Sequence, residues 1–316
     1  MKILPEDVYG FLGNEVGIRS NSYEVLERLR LMYGRFYLGC DDTPQNGKRS
    51  GQDESRFRIQ IVDNLASSNE LFLNDNFYLY RLSKTDTYCR VTCKDLRTLI
   101  NDSLRTCDPL TFVQGAVLRT ICLLARDYQL MHAGAVSREN EGIIFPALSR
   151  MGKTTLALKL VSHGFRFLSD EVACINPDLE IVEPFPRKVN IRNGSRVLLR
   201  LPLKLNAIAS SVGIEEEWEW TLDIEDIVPR SLSNPCTLRY ILFLRGFGEK
   251  PRLEYISSAN ALFELPKFSI SPIDNPAFML FKFAPLLNKI QCFNLVMGDL
   301  DETAELVMQL VDRGRQ

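Results

Sequence analysis

The 316-residue sequence has no membrane-length apolar run and no excess of positive charge. Lys and Arg total 38 against 40 Asp and Glu, which gives a net charge of −2. A nucleic-acid partner is therefore not expected, because such proteins carry a basic excess or stripe. The apolar runs are shorter than the roughly 20 residues that a membrane span needs. The first residues also lack the apolar segment of a signal peptide. We expect a cytoplasmic protein that binds neither membranes nor nucleic acid.

Histidine is scarce, and the cysteines do not form a metal-binding pattern. Of eight cysteines, only Cys89 and Cys93 are close together, and no second Cys or His pair accompanies them. That spacing is a poor zinc signature, so we expect reduced thiols. The two histidines are His132 and His163. His163 stands just before Gly164 at a predicted helix end, which favours a structural role for it.

Two regions are predicted, at residues 1–111 and 112–316. The first is expected to be an α+β platform. It has a helix signal in NSYEVLERLRLMYGRF and a polar segment at residues 40–56 that predicts a mobile loop. Three alternating segments, FRIQIVD, NFYLYRLS and TYCRVTC, predict antiparallel strands. No motif in this region indicates a catalytic or binding activity.

The second region opens with an amphipathic helix predicted over residues 109–128. Short apolar segments then alternate with one helix, which predicts a β-hairpin that leads into a βαβ unit. LMHAGAV and EGIIFPA are the expected hairpin strands, TTLALKLVSH is the helix, and FRFLSDE is the next strand. Further on, RYILFLRG predicts a buried strand, and the last residues predict a strand, a turn and a helix.

The segment IIFPALSRMGKTTLALKL resembles a phosphate-binding loop with one departure. The usual pattern is G-x-x-x-x-G-K-[ST], and Ala147 stands at its first position. Ala adds only a methyl group, which is tolerated if its φ angle is negative. Such a loop binds an anion with backbone N–H groups at a helix N-terminus. A working nucleotide site, a degenerate one and a simple helix start all remain open. The predicted nucleotide-binding residues are Ser149, Arg150, Met151, Gly152, Lys153, Thr154 and Thr155.

Two carboxylates follow the strand after this helix, and a histidine lies on the strand before the loop. Asp170 comes 17 residues after Lys153, and Glu171 follows it directly. A carboxylate beside a metal and a γ-phosphate can take the proton of an attacking hydroxyl group. Two solvated residues at a strand end are the alternative. His132 lies in an apolar strand, where its ring needs a partner, and both a structural and a functional role are open.

These residues together carry a resemblance to a known family. HAGAV, GIIF and ALSRMGKTTLALKLVSHGFRFLSDEVACI resemble the core of HPr kinase/phosphorylases and related proteins, over about residues 131–186. The resemblance implies an α/β P-loop kinase core akin to that of phosphoenolpyruvate carboxykinases. It also implies ATP and Mg²⁺ as cofactors, a serine hydroxyl of a partner protein as acceptor, and a possible homo-oligomer. By position, Asp170 would be the catalytic base, Lys153 a phosphate ligand, Thr154 a Mg²⁺ ligand and His132 an active-site residue.

One departure from that family concerns the metal site. Its members carry a second carboxylate in an L-E-I-R-G segment, and the nearest match here, VNIRNG, has Asn190 in place of the Glu. This departure counts against a reverse, phosphorylase reaction. Glu171 is expected to serve as a metal ligand instead, with Asp170 and Thr154. The chain therefore resembles a divergent kinase relative, and some of that wider group modify ribosomally made peptides.

Basic residues suited to a transferring phosphate follow the acidic pair. Arg187 is the predicted catalytic cation, with Lys188, Arg192 and Arg245 as further candidates for the acceptor pocket. The expected function is an ATP- and Mg²⁺-dependent kinase acting on a hydroxyl, with a serine of a peptide or protein favoured. A small-molecule kinase and a nucleotide-binding regulatory module without phosphoryl transfer are the alternatives.

Overall fold

The chain forms two compact units, Met1–Ala125 and Arg126–Gln316. The computed structural model describes residues 6–20, 22–41, 57–63, 77–82, 90–93, 117–118, 121, 124–201, 208–212, 217–270 and 276–314. The boundary predicted at residue 111 lies outside the described residues and stays a prediction. The helix predicted over residues 109–128 is described only in part, and residues 117, 118, 121 and 124 are helical.

In its described residues, the first unit holds a six-stranded sheet, the helix α1 (Tyr23–Tyr33) and the helical residues near the end of the unit. The sheet order is β3-β1-β2-β4-β5-β6. Ser22 caps the helix by accepting a hydrogen bond from the Val25 N–H. The loop predicted at residues 40–56 lies outside the described residues, apart from the two that end β3. The elements are β1 (Glu6–Phe11), β2 (Asn14–Ser20), α1 (Tyr23–Tyr33), β3 (Tyr37–Asp41), β4 (Phe57–Asp63), β5 (Phe77–Leu82) and β6 (Arg90–Cys93).

The predicted antiparallel arrangement is wrong for β4. This strand pairs parallel with β2 on one side and with β5 on the other. Among the three strands β4, β5 and β6, the pair β5 and β6 is antiparallel as predicted. Residues 64–76 separate β4 from β5, and a connection of that length allows the crossover that parallel strands require. Alternation along a strand predicts its faces but does not determine the direction of its neighbours.

The second unit is a mixed α/β structure built on an eight-stranded sheet. Seven strands follow the order β11-β10-β7-β8-β15-β17-β16, and β9 pairs with β7 off this path. A separate three-stranded sheet has the order β12-β14-β13. The strands are β7 (Gln129–Arg138), β8 (Glu141–Pro146), β9 (Arg166–Ser169), β10 (Val172–Asn176), β11 (Ile181–Glu183), β12 (Val189–Arg192), β13 (Ile208–Val212), β14 (Glu217–Leu222), β15 (Cys236–Phe247), β16 (Arg252–Ile256) and β17 (Gln291–Met297).

Helices of this unit cover both faces of the large sheet. On one face, α2 and α7 pack with β12 and β14 around a core that contains Phe145, Leu160 and Val307. On the other face, α5 and α6 enclose a core that contains Ile144, Phe243 and Phe283. The helices are α2 (Lys153–Ser162), α3 (Asn193–Leu198), α4 (Ile224–Ile227), α5 (Ser258–Glu264), α6 (Pro276–Leu287) and α7 (Leu300–Arg313). No helix in the described ranges is long and apolar enough to cross a membrane.

The hairpin and the helix that lead to the predicted loop form as expected. β7 and β8 pair antiparallel across a turn whose central residues, Glu139 and Asn140, both have positive φ. That combination gives the two-residue hairpin turn whose twist matches the strands. Helix α2 ends in a Schellman motif, in which Gly164 donates to the Val161 carbonyl and Phe165 donates to the Leu160 carbonyl. The predicted position of Gly164 after the helix is confirmed.

One glycine in β7 fixes how closely the hairpin packs, and this contact yields a stability prediction. A methyl group added at Gly134 would clash with the ring of Phe145, which is fully buried. We expect Gly134→Ala to lower the free energy of unfolding by about 1–3 kcal/mol, because the core must shift to admit the methyl group. Urea denaturation of the full chain measures this. Adding Phe145→Leu should recover part of the loss, and a neutral Gly134→Ala would contradict the prediction.

Candidate active site

The predicted phosphate-binding loop is the connection between β8 and α2, at residues 147–152. Ala147, which replaces the usual first glycine, is buried in the core. Its φ is not positive, and its N–H donates to the His132 carbonyl at 3.4 Å. The methyl group of Ala147 is therefore accommodated without backbone strain. The departure from the glycine pattern does not distort the loop.

The backbone of the loop presents N–H groups at the start of α2. Arg150 and Gly152 have φ values of 66° and 84°, and left-handed residues in such loops direct successive N–H groups to one side. The first N–H groups of a helix have no partner within the helix. Ser22, Asp223, Ser257 and Asp299 cap their helices with side-chain oxygens. Gly152, the residue before α2, has no side chain to do so, and α2 has no side-chain cap.

The backbone conformation at position 152 favours glycine. Its φ of 84° is a left-handed conformation that other residues rarely adopt. A methyl group there would also lie 2.9 Å from Cε of Met297 and 3.5 Å from Cζ of Phe247. The loop therefore packs closely against the ends of β17 and β15. Met151 is partly buried in the same core.

Lys153 turns back over the loop that precedes it. Its Nζ donates to the carbonyls of Ala147 at 3.0 Å and Leu148 at 2.8 Å, and lies 3.0 Å from Nε2 of His132. Burial lowers the pKa of Lys153, and burial together with the nearby Lys153 ammonium lowers the pKa of His132. A neutral His132 ring can accept the hydrogen bond from Lys153 at Nε2. His132 thus belongs to the site and holds the lysine.

Thr154 and Asp170 form the link between the loop and the acidic strand end. Thr154 Oγ1 donates to Asp170 Oδ2 at 3.0 Å. Asp170 is only 5% exposed, and its burial raises the pKa of its carboxyl group to about 6, against a lowering effect of Arg187. The turn that carries Asp170 is fixed by Ser169, whose Oγ accepts from the Val172 N–H at 3.1 Å. A carboxyl group with that pKa can exchange a proton near neutral pH.

Glu171 points to a cation rather than to the loop. Its carboxylate forms an ion pair with Arg187, whose side chain is almost fully buried. Arg187, above all other groups, lowers the pKa of Glu171. The carbonyl of Glu171 accepts from the Ala133 N–H at 3.0 Å, beside His132 on β7. The predicted acidic pair is therefore divided, with Asp170 at Thr154 and Glu171 at Arg187.

Several predicted residues lie away from this cluster or make other contacts. Thr155 Oγ1 lies 2.7 Å from Ser195 Oγ, so its side chain faces α3. Asn190 accepts from Thr221 in the neighbouring strand at 2.9 Å. Arg245 binds Glu264 and Asn294, and its guanidinium lies over the Phe243 ring, on the sheet face opposite to α2. The remaining candidates are Ser149 in the exposed part of the loop, Lys188 beside Arg187, and Arg192, which precedes α3.

The donor set can be tested against a Mg²⁺ ion. Among the described residues, no group of three or more His, Cys, Asp or Glu side chains could hold a metal by itself. Mg²⁺ in nucleotide sites, however, is held by one or two carboxylates together with phosphate oxygens and water. The Thr154 hydroxyl and the Asp170 carboxylate, 3.0 Å apart, fit that role. The residues present are compatible with a nucleotide-bound Mg²⁺ and not with a cage made by the protein alone.

Sequence reasoning missed the contribution of two residues from the ends of parallel strands. Phe247 and Met297 form the floor against which Gly152 packs. The glycine-rich ending of β15, RGFG, was the available signal. Gly246 has a φ of 98°, which indicates an irregular strand end next to the loop.

Comparisons with known proteins give structural likenesses but no match of sequence families. No family model matches the chain, and no curated protein matches it. Among solved structures, it is similar to the Hpr(Ser) kinase/phosphatase from Coxiella burnetii, with 12% sequence identity and a TM-score of 0.27. The match covers 59% of this chain and 96% of that chain. At this TM-score the likeness establishes neither a common fold nor a common activity, so the function is inferred from the site.

The burial of Asp170 gives a prediction about stability and pH. Because its pKa is raised from 3.8 to about 6, the ionised carboxylate destabilises the folded chain as pH rises from about 4 to 6. We expect Asp170→Asn, which keeps an oxygen for Thr154, to raise the free energy of unfolding at pH 7 by on the order of 2 kcal/mol. Denaturant melts without nucleotide or metal, at pH 4 to 8, measure this gain.

The gain should become small as pH falls toward 4 and should vanish below that pH, where Asp170 is protonated in both the folded and the unfolded chain. Asp301→Asn is the control, because that exposed carboxylate pairs with Lys159 and its pKa is lowered. It should give no increase in stability. An Asp170→Asn chain that is less stable than the original at pH 7 would contradict the assignment of a strained carboxylate.

Proposed function

We propose that the chain is an ATP- and Mg²⁺-dependent phosphotransferase that moves the γ-phosphate to a hydroxyl group. One observation carries the proposal. A buried carboxylate, Asp170, is hydrogen-bonded to Thr154 in the first turn of the helix that follows the candidate phosphate-binding loop. A carboxylate at that position serves phosphoryl transfer, since the metal and the γ-phosphate of a P-loop site meet there. A helix start without nucleotide does not need a buried carboxylate of raised pKa.

Different residues of the chain have different roles in the proposed reaction. The loop N–H groups and the Lys153 ammonium bind phosphate oxygens and offset their charge. Thr154 and Asp170 would hold Mg²⁺, which neutralises charge on the phosphates when it is bound. Asp170 takes the proton of the acceptor hydroxyl, and its pKa of about 6 in the free protein suits a general base. His132 keeps Lys153 at the loop.

Glu171 is assigned a positioning role in this proposal. One oxygen of its carboxylate, Oε2, is bound by Arg187, so this oxygen is engaged before any metal arrives. Arg187 in turn lowers the pKa of the neighbouring Asp170 against the effect of burial. The pair thus orients a buried cation next to the reacting centre, where it can offset developing charge.

The proposed class of acceptor is based on the resemblance of the sequence to HPr kinase/phosphorylases and related proteins. A serine of a peptide or protein is favoured, in a carrier protein or in the precursor of a ribosomally made peptide. A small-molecule kinase on the same core and a nucleotide-binding regulatory module are the competing functions. A nucleotide-binding regulatory module would bind ATP tightly and transfer no phosphate to any acceptor or to water.

The base assignment gives the first functional prediction. We expect Asp170→Asn to lower the rate of phosphate transfer by about 10²- to 10⁴-fold, because the acceptor proton has no base. Transfer is measured with γ-labelled ATP, Mg²⁺ and a pool of serine-containing peptides, and nucleotide binding by calorimetry. Binding of ATP measured without Mg²⁺ should change by less than about fivefold, because Asp170 then holds no metal. Unimpaired transfer by Asp170→Asn would contradict the assignment of Asp170 as the base. If the original chain binds ATP tightly but neither transfers nor hydrolyses its phosphate, the regulatory module is favoured.

The division of the acidic pair gives the second functional prediction. We expect Thr154→Ala to raise the Mg²⁺ concentration for half-maximal activity about tenfold or more, because it removes a metal ligand. Glu171→Gln should leave that concentration within about threefold and lower the maximal rate instead, since it releases Arg187. A Mg²⁺ titration of the transfer rate separates the two effects. Equal shifts in Mg²⁺ dependence would show that Glu171 is a metal ligand, as the sequence pattern suggested.

A further inference from the structure

The proposed site is asymmetric, with its acidic and basic groups on one side of β8. β7 lies on that side and carries His132, and β9, which pairs with β7, leads to Asp170. The terminal phosphate of a bound nucleotide must meet Lys153, Thr154 and Asp170 there. A triphosphate chain laid along the loop therefore extends its nucleoside away from Asp170, toward the opposite neighbour of β8.

That opposite neighbour is β15, and its end is at the correct edge of the sheet. β15 runs parallel to β8 and to β17. The carboxyl ends of parallel strands share one edge, which is where ligands bind in open α/β sheets. The ends of β15 and β17, at Phe247 and Met297, therefore flank the loop on the side away from Asp170.

An aromatic ring lies at this edge, close to the loop. Phe247 is 69% exposed, whereas Phe243 in the same strand is fully buried. The ring tip lies against Gly152, where an added methyl would be 3.5 Å from Cζ. A register irregularity between Leu244 and Phe247 and the positive φ of Gly246 turn the strand end. The Gly248 N–H then donates to the Met297 carbonyl at 2.7 Å, which fixes the segment after Phe247.

From this arrangement we propose that Phe247 is the stacking surface for the nucleobase of the bound nucleotide. The inference rests on the proposed function, since it needs a nucleotide on the loop. Exposed single aromatic side chains are common on protein surfaces. Phe247 differs from them because its ring tip lies close to Gly152, the residue before Lys153, and because it lies where the nucleoside must extend. An aromatic face stacks on any base, so Phe247 contributes affinity without choosing between adenine and guanine.

The test compares a ligand that has a base with one that lacks it. Calorimetry with Mg²⁺ measures binding of ATP, GTP and inorganic tripolyphosphate to the full chain and to Phe247→Ala. We expect Phe247→Ala to weaken ATP and GTP about tenfold each. Tripolyphosphate should bind the variant within about twofold of the original. Phe247→Trp should restore nucleotide binding, and Tyr255→Ala, which removes another exposed aromatic of the same sheet, should change nothing.

The outcomes separate this inference from the proposed function. If the original chain binds neither ATP nor tripolyphosphate, the proposed function fails, and the inference fails with it. If it binds both and Phe247→Ala weakens both equally, Phe247 only supports the loop. Unchanged ATP binding in Phe247→Ala also overturns the inference while the proposed function stands. If ATP binds and tripolyphosphate does not, recovery by Phe247→Trp supports stacking, and loss without recovery counts against it.

Discussion

A carboxylate that is 5% exposed requires an explanation, and the position of Asp170 organises the whole candidate site. Its oxygen accepts from Thr154, so a single hydrogen bond joins the start of α2 to the end of β9. Two elements that are distant in sequence thereby place a lysine, a hydroxyl and a carboxyl group together. Burial of the carboxylate opposes folding, as its raised pKa shows. Such strain is typical of residues that serve a function rather than stability.

Lys153 shows how the loop is organised when it holds no anion. Its ammonium binds two carbonyls of its own loop and the His132 ring. Under the proposed function, an incoming phosphate must replace some of these contacts with charge-assisted ones, which are stronger. His132 then acts as the fixed partner, because it lies on the rigid strand β7 and stays neutral near physiological pH. The ring keeps the ammonium near the loop while the carbonyls release it.

Local patterns predicted the part of the site that lies in one stretch of chain. Residues 129–176 follow the expected order of hairpin, loop, helix and acidic strand end, because each of these depends on short-range signals. Contacts between distant segments were not predictable in this way. The parallel pairing of β4, the partner of Asn190 and the place of Phe247 depend on which strands meet. Glu171 is an intermediate case. Arg187 was predicted as a cation of the site, but its ion pair with Glu171 was not predicted.

The two departures from the phosphate-loop pattern have unequal consequences. Ala147 is absorbed into the core with an ordinary backbone, so the loop keeps its shape. Asn190 binds Thr221 across two strands of the small sheet, and Glu171 binds Arg187. Under the proposed function, Asp170 is then the member of the predicted acidic pair that holds the metal. A site with one carboxylate and one hydroxyl holds Mg²⁺ mainly through the phosphates that accompany it. Metal and nucleotide would therefore bind together. Transfer of the γ-phosphate would remove some of the oxygen ligands and weaken metal binding. This favours transfer in the forward direction.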